Sequence, residues 1–320
     1  MSDLLSNLLF SINVVLPLVL ITVLGFILKQ IGMVNDNFIS VATRYTFCIA
    51  FPCNIYRNLI GQPLSEAFDI ELIVFLVAAI TLSLVLPLLI VPRFVKDRAI
   101  AASMIQSMFR PNFLIQGTSL LANMYGEGTY ASCAIVLPFI ISLNNILATV
   151  DFVVLVPENN KEGNPILQSA LKLLKNPLIL SCAVGLLFCG MGWRFPYAVE
   201  NAISNVGATA NPLALLALGA DFRPNNLKNN LRYSLPTVLV RLIVIPGIIV
   251  PIAVLFGFRG IELAGIYVFT GSGAAAAGYI MSKNMGGNEH IAAETVCLST
   301  GLSAFSLTFG IFLLRSMGLA

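Results

Sequence analysis

The chain of 320 residues is 58% hydrophobic and only 10% charged, with a formal net charge of +3 and a mean hydropathy of +0.90. A soluble domain carries about a quarter of its residues charged; a chain this apolar cannot cover its own core with polar surface, so the bilayer is its solvent. The small, dispersed positive charge contains no basic block able to track a phosphate backbone, which argues against a nucleic-acid partner.

In chain order, apolar stretches of spanning length fall at 8–32, 36–58, 67–91, 98–124 and 129–156, and then at 177–192, 197–221, 233–257, 260–283 and 290–316. They predict an all-α integral membrane protein of ten transmembrane helices. The N-terminus carries Asp3 and no basic run, so the stretch from Leu8 reads as a retained first span rather than a cleaved leader. Between the two groups lies a polar stretch, PENNKEGNP (157–165), followed by QSALKLLK (168–175), which reads as a short amphipathic segment at the membrane surface. No segment outside the spans is long enough for a folded soluble domain, which argues against an enzyme or a receptor with an extramembrane head. Cys48, Cys53, Cys133, Cys182, Cys189 and Cys297 all sit in apolar stretches without a CxxC pair, and read as small packing residues rather than metal or disulfide partners. No cofactor is expected.

Lysine and arginine set the orientation. Taking connections alternately, one side carries 11 of them, the other 4 (Arg57, Arg194, Arg259 and Arg315), and three (Arg44, Arg110 and Arg241) fall within spans. The richer side is expected to be cytoplasmic, which puts both termini on the extracytoplasmic side of the plasma membrane and requires an even number of spans.

The prolines repeat. Pro17, Pro52, Pro87 and Pro92 are matched by Pro177, Pro212, Pro246 and Pro251 at offsets of 160, 160, 159 and 159, and NMYGEGTYA (123–131) aligns with NMGGNEHIA (284–292) at 161. The chain therefore reads as one five-helix unit used twice, over 1–160 and 161–320. An odd number of spans per unit inverts the second copy, an arrangement used by alternating-access transporters.

The same register locates a site. Within SMFRPNFLIQG (107–117), Pro111 cannot donate a backbone hydrogen bond and clashes with the preceding turn, so the fourth helix should open at Arg110-Pro111-Asn112. At offset 161 this triplet meets Gly271-Ser272-Gly273 of the ninth helix. Two broken, crossing helices would present half-helix N-termini and their partial positive charge near the midplane. Arg110 adds a permanent charge with a fork suited to a carboxylate, and Asn112 adds donors. The candidate substrate-binding residues are Arg110, Pro111, Asn112, Gly271, Ser272, Gly273, Asn144 and Asn145. Glu294 and Asp151 are candidates for proton or ion coupling. The structural alternatives stay open: Arg110 pairing with Asp151, Glu294 or a carbonyl; Asp151 balancing Arg110 or Arg44; Glu294 facing water or pairing with Lys283; small residues 271–278 serving close packing. Arg44 and Arg241 read as structural or snorkelling. Pro52-Cys53-Asn54 and Asn211-Pro212 either flank the substrate path or only shape the scaffold.

RPNFLIQGTSLLANMYG (110–126), NPLALLALGADF (211–222) and GYIMSKNMGGNEHIAAETVCLSTGL (278–302) together resemble the auxin efflux carrier family. The resemblance implies ten helices in two inverted repeats. Helices 1, 2, 6 and 7 would form a scaffold, often dimeric, and helices 3–5 and 8–10 a transport domain moving in an elevator-like manner. It also implies a substrate site where helices 4 and 9 cross, with Asn112 on the substrate carboxylate. The ninth-helix crossover departs from the family pattern, having Gly271-Ser272-Gly273 where a proline often stands. The expected function is secondary transport of a small organic anion, a carboxylate such as a dicarboxylate, with H+ or Na+ as candidate coupling ion. The competing classes are a cation–proton exchanger on a related crossed-helix fold and a non-transporting membrane sensor; the crossing carries an arginine and no acid, and no output domain is visible.

Overall fold

The computed structural model describes residues 2–60, 70–125, 131–156 and 175–319. The polar stretch 157–165, most of the amphipathic segment after it, and residues 126–130 of the repeated loop lie outside these. Every regular element among the described residues is helical: α1 (Ser2–Gln30), α2 (Asp36–Ile60), α3 (Ile70–Phe94), α4 (Arg98–Phe109), α5 (Thr118–Tyr125, entered through a π-helical turn at Phe113–Gly117), α6 (Ala131–Leu155), α7 (Pro177–Met191), α8 (Tyr197–Asp221), α9 (224–255), α10 (Gly260–Gly271), α11 (Ala276–Asn284) and α12 (Glu289–Ser316). Five helical stretches among the described residues are long and apolar enough to cross a membrane: Asp36–Ile60, Ile70–Phe94, Tyr197–Asp221, Asn230–Leu255 and Glu289–Ser316.

Local chemistry sets the helix ends. Asn35, Asp97, Asn176 and Asn288 each cap a helix start with a side-chain oxygen on first-turn N–H groups. Pro224 opens α9 from the first-turn position where its missing N–H costs nothing. The helix thus begins well before the apolar stretch at 233, because a helix need not end where the membrane does. Gly192, at φ 66°, closes α7 in the left-handed conformation. Pro52 of α2 and Pro246 of α9 are handled alike: a five-residue π-helical turn, Thr46–Ala50 or Val240–Val244, ends two residues before the proline. The wider turn takes up the clash and the lost hydrogen bond that a proline imposes.

The exterior is apolar and much of the interior is polar, as expected where lipid is the solvent. Phe94, Leu255 and Phe309 are exposed, while Ser103, Thr149, Ser299 and Ser303 are fully buried. Buried hydroxyls return to their own helix, as Thr149 Oγ1 does to the Asn145 carbonyl at 2.8 Å. Small residues bring helices together: a Cβ on Gly25 would collide with the Leu216 carbonyl and one on Gly219 with the Thr22 carbonyl, locking α1 to α8.

Among the described residues, two helix interruptions, at 110–112 and 272–275, face each other. Arg110 is extended (φ −91°, ψ 108°), as is Ser272 (φ −67°, ψ 156°). Pro111 and Ala274 form an antiparallel bridge. The Asn112 N–H donates to the Gly273 carbonyl at 2.8 Å, and the Ala275 N–H to the Arg110 carbonyl at 3.2 Å. The Gly273 N–H donates to Gln116 Oε1 at 2.9 Å, and the Ala274 N–H to Ser299 Oγ of α12 at 2.9 Å. These four N–H groups are spent inside the protein rather than left for a ligand. The carbonyl ends of α4 and α10 go to one residue. Arg241, in the π-helical turn of α9 and only 1% exposed, donates from Nε to the Ser272 carbonyl at 2.8 Å and from Nη2 to that of Phe269 at 3.0 Å. Its Nη1 donates to the carbonyls of Met108 and Phe109 at 3.2 and 3.3 Å. A cation placed on two helix C-termini meets the negative ends of both dipoles. Arg241 is therefore structural and does not snorkel.

Two stability effects follow. Arg241→Ala should cost at least about 3 kcal/mol, since hydrogen bonds to a charged donor are worth roughly 1.5–3 kcal/mol each. Melting of the detergent-solubilised protein should show the loss, with Arg241→Lys recovering only part of it because a point charge cannot serve two helix ends at once. Gly219→Leu should cost about 1–3 kcal/mol by overpacking. Gly190→Leu is the control in the same melting assay, since nothing lies within 4 Å of a Cβ placed there, and it should leave the transition where it is.

Candidate functional site

The paired breaks border a cavity of about 80 Å³, room for two or three water volumes or one small ligand. Of the residues singled out in the sequence, Arg110, Pro111, Asn112, Asn144 and Asn145 line it together. Gly271, Ser272 and Gly273 do not. They are buried in the pairing behind it: a Cβ on Gly273 would press on the backbone of Ser299 and Thr300 at 3.1 Å, and the Ser272 carbonyl is taken by Arg241. Asn54 and Asn211, from the two proline kinks, also line the cavity.

Arg110 is 8% exposed, and its partners are neutral. Nη2 donates to Asn145 Oδ1, and Nη1 approaches Met281 Sδ at 2.6 Å. The Gln106 amide, turned so that its oxygen faces the guanidinium, accepts from Nη1 at 3.3 Å and donates to the Gly278 carbonyl at 3.3 Å. Among the described residues no carboxylate forms an ion pair with Arg110. The structural alternative of an Arg110 pair with Asp151 or Glu294 is therefore absent among them. A buried cation with only neutral acceptors is several kcal/mol short of compensation, which an anion in the cavity would supply.

The acids expected nearby lie elsewhere. Asp151 is 1% exposed, and neither of its oxygens has a hydrogen-bond partner among the described residues; it balances neither Arg110 nor Arg44, which is exposed. Glu294 is also buried, and accepts from Asn230 Nδ2 at 2.7 Å and Ser234 Oγ at 2.8 Å, both on α9. Lys283, the expected partner of Glu294, pairs instead with Asp221, which also accepts from Tyr279 Oη at 2.8 Å. Neither Asp151 nor Glu294 lines the cavity.

Sequence reading missed six residues. Asn58 lines the cavity and donates to Asn54 Oδ1 at 2.8 Å; its position four residues beyond Asn54 on one helix face was a readable signal. Phe51, Ile55, Phe113 and Phe269 give the cavity an apolar wall. In an apolar chain nothing distinguishes them. Gln116, which ties the Gly273 N–H and Ser303 Oγ (3.4 Å) to α5, was visible as a polar residue in an apolar run. The amide of Asn112, 8% exposed, makes no side-chain hydrogen bond among the described residues, and Asn144 Oδ1 has no donor. The cavity thus offers one fixed positive charge, amide groups and an apolar wall, a combination suited to a small acid.

No curated protein matches the sequence. Residues 164–311, which take in α7 to α11 and most of α12, match the family model described as Membrane transport protein, the model of the auxin efflux carrier family.

Proposed function

We propose that the chain is a secondary carrier that moves a small organic anion, a carboxylate, across the plasma membrane, with both termini on the extracytoplasmic side. The single observation that carries this reading is Arg110: a buried guanidinium at a helix break, on the wall of a cavity, without a carboxylate partner among the described residues. The substrate carboxylate would take the open edge of the guanidinium and the Asn112 amide. The proline offsets and the two facing breaks support ten spans in two inverted five-helix repeats, 1–160 and 161–320, with α4–α5 and α10–α11 as the broken fourth and ninth helices. Alternating access would then be an elevator-like movement of helices 3–5 and 8–10 against helices 1, 2, 6 and 7, which would also supply a homodimer contact.

Of the two coupling candidates, Asp151 suits a proton better than Glu294, because a carboxylate with no donor is stable in the interior only when neutralised, whereas Glu294 already has two donors. The same residue favours the second reading, cation–proton exchange. That reading is the weaker one, because Asp151 does not line the cavity and the only charged lining residue among the described residues is a cation.

Arg110→Ala and Asn112→Ala should each weaken binding of the transported acid at least tenfold, measured with purified protein against a panel of small mono- and dicarboxylates. Unchanged affinity in both variants would remove the site assignment. A protein that responds only to Na+, Li+ or pH would point to the exchanger. In reconstituted vesicles, Asp151→Asn should abolish accumulation driven by a pH gradient while leaving acid-for-acid exchange in place; loss of both together would deny it a coupling role.

A further inference from the structure

Outside the anion cavity, the outer surface carries a cleft of about 400 Å³ between α3 and α9, in the size range of sites that enclose a molecule rather than graze it. Its walls are apolar: Leu86, Ile90 and Phe94 of α3, Val244 and Ile248 of α9, and Met108 of α4. Many of these side chains are exposed, as Ile90 and Ile248 are, so in a bilayer the cleft opens onto lipid.

One end of it is not apolar. Arg232 is among its lining residues, beside Phe94 and Val95. Val95 and Lys96 stand in the α3–α4 connection, with Arg93 in the last turn of α3 and Arg98 at the first position of α4. All four cations are exposed, and none forms an ion pair among the described residues. The single acid of that connection, Asp97, turns its Oδ1 to the N–H groups of Ala99 and Ile100. The Arg232 guanidinium lies over the Tyr233 ring, 4.6 Å from its centroid, an arrangement that occupies the face of the guanidinium and leaves its N–H edge for an oxyanion. In the sequence reading, the α3–α4 connection and Arg232 both count to the lysine- and arginine-rich side, so this end would lie at the level of one leaflet's headgroups.

We propose that the cleft binds one acyl chain of an anionic phospholipid, with the lipid phosphate held by Arg232 and the Arg93, Lys96, Arg98 cluster. The apolar walls would accept a chain from any lipid. The cations at the mouth select the anionic headgroup. The site does not depend on which solute the protein carries. It touches the transport machinery from behind: Met108 lines the cleft, and its carbonyl is one of those held by Arg241.

The test uses the full-length protein in detergent, titrated with dioleoyl phosphatidylglycerol, dioleoyl phosphatidylcholine or glycerol 3-phosphate, with melting temperature and bound lipid by native mass spectrometry as readouts. Phosphatidylglycerol should stay bound with roughly tenfold or greater preference over phosphatidylcholine and raise the melting temperature. Glycerol 3-phosphate, a headgroup without chains, should do neither. The combined exchange Arg93→Gln, Lys96→Gln, Arg98→Gln and Arg232→Gln should remove the preference, and Leu86→Trp, which narrows the cleft with the charges intact, should lower phosphatidylglycerol occupancy. Equal retention of the two lipids by the unaltered protein would overturn the proposal, as would an equal shift from glycerol 3-phosphate.

Discussion

A polypeptide that leaves the helix inside a bilayer exposes backbone donors and acceptors where no water can meet them, and each unmet group costs several kcal/mol. The rest of this structure depends on how that demand is met. The two breaks serve one another through a short antiparallel pairing. Gln116 and Ser299 take the next two N–H groups, and Arg241 takes four carbonyls. With its own backbone thus satisfied, the broken region can leave Arg110 and the asparagines to the cavity.

The two buried arginines near the breaks illustrate how context decides a residue's work. Arg241 is surrounded by carbonyl oxygens at helix C-termini, a setting that offers a cation several acceptors without a carboxylate. Arg110 has an amide oxygen and a thioether for company. Both are buried, and neither has an acidic partner among the described residues, yet only Arg110 borders open space.

Much of this was readable in the chain itself, because a polar residue or a proline in a long apolar run is conspicuous. Pro111 announces the first break, and Arg110, Asn112, Asn144 and Asn145 stand out against their neighbours. The second break was readable only through its register with the first; the reading grouped Gly271, Ser272 and Gly273 with the residues that line the cavity, whereas they lie in the backbone pairing beside it. Partners across helices were not readable. Which acid answers Lys283, which donors answer Glu294, and what Arg241 holds are set by tertiary packing. No spacing in the sequence encodes that Asp221 of α8 comes within reach of α11. Helix ends were blurred for a different reason: hydropathy marks where lipid ends, while capping and proline chemistry mark where the helix does, as at the start of α9.

The stitching of the second break to α12 has a mechanical consequence. Ser299 holds the Ala274 N–H, Ser303 reaches Gln116, and Gly273 lies so close to the Ser299 and Thr300 backbone that a methyl group would press on it. At 1.5 Å per residue, the 28 residues of α12 form a rod about 40 Å long gripped near its middle. A rigid rod gripped at a fulcrum turns a small tilt there into a larger, opposite displacement at its two tips. Any rearrangement around the cavity would therefore register at both membrane faces along a single helix.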